Sequence, residues 1–130
     1  MRTILIPIAA LGLFGAAAPA APGQETAESV LAGRIAGKPV DCVDKSRLEG
    51  PQIIDAKTLI YHESGSRLWR NDLIGVCPGL QPMDTLIVDI YGTSLCRNDH
   101  FRALTPGLTI PGPYCRLGNF TPYDKPAKAK

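Results

Sequence analysis

Over residues 85–91 the chain alternates. Leu86, Val88 and Ile90 fall on one side of an extended segment, and Thr85, Ile87, Asp89 and Tyr91 on the other. A period of two marks a strand with one face in a core. Upstream, Thr58-Leu59-Ile60-Tyr61-His62-Glu63 and Arg67-Leu68-Trp69-Arg70-Asn71 are rich in strand formers and flank Ser64-Gly65-Ser66, where glycine can supply the positive φ of a tight hairpin. Shorter strands are predicted over residues 52–55 and 114–120, with another beginning at 95–97. Helical spacing occurs once, over residues 25–36, where Val30, Leu31 and Ile35 share a face. Thr26 or Ser29 supplies its cap, and Gly33 and Gly37 weaken and then stop it.

Between these segments the chain is heavily punctuated. Residues 75–82, Gly-Val-Cys-Pro-Gly-Leu-Gln-Pro, cannot sustain regular structure, Asn98-Asp99 forms a turn, and Thr105-Pro106-Gly107-Leu108-Thr109-Ile110-Pro111-Gly112-Pro113 is a constrained loop. Five or six short strands with frequent turns predict a mainly β fold, a small barrel or sandwich with one short N-terminal helix against it. The core expected for it comprises Val30, Leu31, Ile35, Ile53, Leu59, Tyr61, Leu68, Leu86, Val88, Ile90, Leu95, Phe101, Leu117 and Phe120.

The N-terminus changes how the cysteines are read. Met1-Arg2 precedes an apolar run broken by Pro7, Gly12 and Gly15 and followed by Ala18-Pro19-Ala20. A basic start, a short apolar stretch and small residues before a cut describe a secretory signal peptide rather than a membrane anchor. The expected organisation is a signal peptide at 1–20, one disulfide-stapled domain at 21–123, and a flexible basic tail at 124–130. The expected location is the periplasm or the exterior. All four cysteines, Cys42, Cys77, Cys96 and Cys115, lie beyond the leader, and an even number in a small exported domain implies two disulfides. Three pairings are open. Cys77–Cys96 with Cys42–Cys115 is the expected one, because the first pair flanks the 85–91 strand and the second brackets the whole β region. Each bridge would contribute about 2–4 kcal/mol.

Three motifs taken together, Cys77-Pro78-Gly79-Leu80, Leu95-Cys96-Arg97-Asn98-Asp99 and Cys115-Arg116-Leu117-Gly118-Asn119-Phe120-Thr121-Pro122-Tyr123, resemble a family of short exported four-cysteine proteins of Gram-negative bacteria with no assigned function. The resemblance runs from about Gly33 to Tyr123. It implies a signal peptide, four cysteines and a compact β-rich domain, and it brings no catalytic residues.

Charge excludes one class of partner. The chain has 14 Lys and Arg against 12 Asp and Glu, a formal +2, too little field for nucleic acid. The lysines of the tail read as a solubilising end. His62, beside Glu63, and His100, beside Asp99, are the only candidates for a metal site, and neighbours on a strand point to opposite faces. Ser64, Ser66 and Ser94 lie in turns, and no Gly-x-Ser-x-Gly elbow occurs. Tyr61, Arg67, Trp69, Asp89 and Tyr91 form a possible binding face, since aromatic rings with nearby charges hold sugars or peptides on β modules; the alternative is that Trp69 belongs to the core. The sequence therefore points to a non-enzymatic binding or structural module of the cell envelope. It is expected to be monomeric and cofactor-free, with an envelope component as partner and no membrane anchor once the leader is removed. Two other readings stand beside it. One is a small enzyme or metal-dependent protein using His62 or His100 with nearby acids. The other is an inhibitor of a secreted enzyme acting through the 105–113 loop.

Overall fold

The structure, a computed structural model, describes residues 25–127 together with Gly12 and Gly15. The cleavage site expected after Ala20 and the last three residues of the tail lie outside the described residues.

Helix α1 is a single turn, Ala27–Val30. Thr26 and Ser29 form a reciprocal capping box, each side chain bonded to the other's backbone N–H. The predicted helix over 25–36 is thus cut short. Gly33 adopts a positive φ of 74°, the chain turns there, and Ile35 enters a strand with 62% of its surface exposed rather than joining the core.

Ten strands follow among the described residues: β1 (Ile35–Ala36), β2 (Cys42–Asp44), β3 (Leu48–Ile53), β4 (Thr58–Glu63), β5 (Leu68–Asp72), β6 (Thr85–Val88), β7 (Ser94–Cys96), β8 (His100–Leu104), β9 (Cys115–Arg116) and β10 (Phe120–Asp124). A 3-10 turn, Lys45–Arg47, joins β2 to β3. All pairings are antiparallel, in three sheets ordered β1-β10-β5-β4-β3, β2-β7 and β6-β8-β9. The result is sandwich-like rather than a closed barrel.

The β4–β5 hairpin has the predicted form, with Tyr61 opposite Trp69 and Gly65 at φ 104° in its loop. Its sheet is covered on both faces, which explains the continuous buried run from Thr58 to Tyr61. Leu59, Tyr61 and Trp69 join Val43, Ile53, Leu80, Leu95, Phe101, Leu117 and Phe120 in the main core. Ile60 and Leu68 point the other way, onto Ala27 and Leu31 beside α1. Alternation along each strand feeds two cores from one sheet.

Other expectations need correction. Strand β8 was not foreseen, because Arg102 and Ala103 blur its alternation. The strand expected over 114–120 is two, β9 and β10, and Pro122 lies inside the second, opposite Trp69. β10 also takes in Asp124, the first residue of the expected tail. Of the predicted core, Val30, Leu86, Val88 and Ile90 are only half-buried.

The disulfides also differ from expectation: Cys42 pairs with Cys96 and Cys77 with Cys115. Position along the chain misled because strand pairing decides. β7 returns beside β2, setting Cys42 directly opposite Cys96 with Cα atoms 4.0 Å apart. The second bridge ties the 75–82 loop to β9. The bridged intervals, separated by 54 and 38 residues, interleave rather than nest. Each therefore constrains a different part of the unfolded chain.

Candidate functional site

The expected binding face does not assemble. Tyr61 and Trp69 are 3% and 8% exposed and belong to the core. Asp89 and Tyr91 lie just beyond β6 and alternate with its half-buried side chains, Tyr91 being 90% exposed. Arg67 lies over the Trp69 ring, 5.4 Å from its centroid, and forms a two-pronged pair with Asp124 at 2.7 and 3.0 Å. That pairing holds the Asp124 carboxyl below its ordinary range.

The metal candidates are separated by the fold. His62 is exposed on β4, its ring nitrogen 3.4 Å from the Gln52 side-chain oxygen. His100 is exposed on β8, in another sheet, edge-on to Tyr114. The Asp99 carboxylate accepts from the Cys96 backbone N–H at 2.7 Å and holds the 98–99 turn. Among the described residues no three His, Cys, Asp or Glu side chains cluster as a metal site would require.

Two depressions are brought together instead. The first lies at the turn end of the hairpin, beside Ser64 and Ser66. Glu63, its side chain 9% exposed, is the pivot there. Its Oε1 lies 2.9 Å from Arg47 Nη2, and Trp69 Nε1 donates to its Oε2 at 2.9 Å. Arg67 and Asp124 form the opposite wall. Every one of these charges already has a partner, so the groove has little unpaired charge to offer a ligand. Sequence reasoning noted Glu63 beside His62 and among the acids that could pair for glycoside hydrolysis, but did not foresee its contacts with Arg47 and Trp69.

The second depression is a cavity of about 190 Å³ between the large sheet and β6. Leu86 and Val88 of β6, with Ile90 just after it, form one wall, which is why these predicted core residues remain half-buried. Leu95, Leu48 and Tyr61 close other sides, and Lys45 stands exposed at the rim. The edge strand β3 supplies the rest through a bulge. Glu49 pairs with His62 and Gln52 with Ile60, so Gly50 and Pro51 together oppose Tyr61. Gly50 has a φ of 103°, and a side chain there would press on Gln52 N at 3.0 Å. A bulge bends its strand and commonly sits beside a site. The Gly50-Pro51 pair was the sequence signal for this feature, and it was not used.

The Tyr61 hydroxyl is buried and has no hydrogen-bond partner among the described residues. Burial pushes its phenol far above the ordinary 10.0. The folded state then keeps a proton that the unfolded chain loses above about pH 10. Stability should therefore be unaffected by this group below that pH and fall above it, by up to about 1.4 kcal/mol per pH unit. Urea unfolding of wild type and Tyr61→Phe between about pH 9 and about pH 11 tests this. Parallel declines in the two proteins would contradict it.

No helix among the described residues is long and apolar enough to cross a membrane. Compared with family profiles, curated proteins and solved structures, the chain matches none.

Proposed function

We propose that this protein is an exported, non-enzymatic binding module of the cell envelope that takes a small ligand into the cavity between its sheets. The same proposal groups it with the short exported four-cysteine proteins that its motifs resemble. The observation that carries the reading is the cavity itself. Three alternate inward positions, Leu86, Val88 and Ile90, pack against the main core yet stay half-buried, because they also line this space. Interiors are normally packed as densely as organic crystals, and largely apolar concavities with a few polar groups are the usual form of a ligand site. The compartment is supported by the pairing of every cysteine.

The test is a thermal melt in the low-molecular-mass fraction of an envelope extract. A ligand that binds only the folded state raises Tm. A rise in wild type that is lost in the cavity-filling variant Val88→Trp is expected; no rise, or an equal rise in both, would overturn the reading. Cell fractionation tests the compartment, with recovery of reduced protein in the cytoplasm as the contrary result.

One observation favours a second reading, inhibition of a secreted enzyme through the 105–113 loop. Arg102 donates to Gly112 O at 2.8 Å and to Pro111 O at 3.0 Å, while Leu108 and Ile110 are 60% and 79% exposed. A clamped loop with exposed apolar tips loses little entropy on docking.

A further inference from the structure

The cavity's chemistry narrows its ligand, an inference that rests on the binding reading above. We propose that the cavity binds a small monocarboxylate whose apolar part is one ring or a short chain, with Lys45 neutralising the carboxylate at the rim.

Size comes first. A dry, apolar protein cavity of about 150 Å³ holds benzene. At about 190 Å³, this one takes a ring of that size or a chain of about six carbons, and it excludes a folded long-chain fatty acid. Its walls set the second condition. The side chains of Leu86, Val88, Ile90 and Leu95 offer no hydrogen bond, so the part of the ligand that lies against them must be apolar.

Charge sets the third condition. Among the described residues, Lys45 is the only charged side chain lining the cavity. It has no salt bridge among the described residues, unlike Arg47, which is paired with Glu63. Its backbone is held in place by the Lys45 N–H bond to Thr93 O at 3.0 Å. A free cation at the mouth of an apolar hole selects an anion with an apolar body. A phosphate monoester is disfavoured, since a single lysine at the rim cannot replace the hydration of a more highly charged head.

The probes are hexanoate and its neutral counterpart 1-hexanol, titrated calorimetrically into the oxidised protein. Hexanoate should bind at one site, more tightly than 1-hexanol. Lys45→Met should weaken hexanoate by about fivefold and leave 1-hexanol within about twofold. Val88→Trp, or the milder filler Ile90→Phe if the first does not fold, should abolish binding of both probes. Equal affinity for the two probes, or no effect of Lys45→Met, would overturn the carboxylate assignment while leaving the cavity as a binding site. If neither probe binds but an envelope extract still raises Tm in wild type and not in Val88→Trp, the ligand class alone is wrong. If fillers leave binding unchanged, the cavity is not the site and both inferences fall.

Discussion

Replacing Gly118 with alanine should unfold the domain. A Cβ at this position would lie 1.8 Å from the backbone oxygen of Asp72 and 3.0 Å from its carbonyl carbon. The obstacle is backbone of β5, flanked by β4 and β10 in the largest sheet, so no side chain can swing away to make room. Gly118 also anchors the fully buried Asn71, whose side-chain amide donates to Gly118 O at 2.8 Å and whose oxygen accepts from Gly118 N at 2.8 Å. Displacing the glycine would break both bonds and strand four polar groups away from water, at a cost of about 1–3 kcal/mol for each one left unpaired. The combined loss should reach about 4 kcal/mol or more, much of the stability of a small domain. Gly112→Ala is the control. Its added carbon would sit 3.6 Å from Ala103 O, an ordinary contact, and should change stability by less than about 1 kcal/mol. Thermal and urea melts of the two variants decide the matter. A folded, cooperative Gly118→Ala protein with near-native Tm would show that the close approach of the 118 turn to β5 is wrong.

Trp69→Ala should be the next most damaging change, costing about 3–5 kcal/mol. The ring is 8% exposed within the main core, opposite Tyr61 on β4. Truncation would leave a large void and remove the indole N–H from Glu63, a mostly buried carboxylate then left with Arg47 alone. Arg67 would lose its aromatic platform, though a cation at an exposed ring face contributes only about 0.5–1 kcal/mol. Trp69→Phe should recover most of the packing loss but not the hydrogen bond, and fall between the two. Wild-type fluorescence should be blue-shifted and poorly quenched by iodide. An unchanged melt for Trp69→Ala, with a red-shifted and readily quenched wild-type spectrum, would return Trp69 to the surface and revive it as a contact residue.

The β4–β5 hairpin was legible because its information is local. Strand formers flank a glycine loop, and the register follows from the turn. The alternation on β6 was equally legible, and it correctly named an inward face. It could not say how completely that face would be covered, since this depends on how far β3 bends away at Gly50-Pro51. That is a property of two sheets, not of one strand. Composition and cysteine count were enough to specify a small, mainly β, twice-bridged domain. Which cysteines join was decided by β7 docking beside β2, a contact between residues more than fifty positions apart. Motif order carried no trace of the Asn71–Gly118 clasp, because an asparagine in a strand and a glycine in a loop look ordinary until the chain brings them within 2.8 Å. The sequence by itself determined the elements that depend on neighbours along the chain: alternation, turns and bridge number. Tertiary structure alone decided pairing, the cavity and the loss of the expected aromatic face, because each is set by which surfaces the sheets turn toward one another.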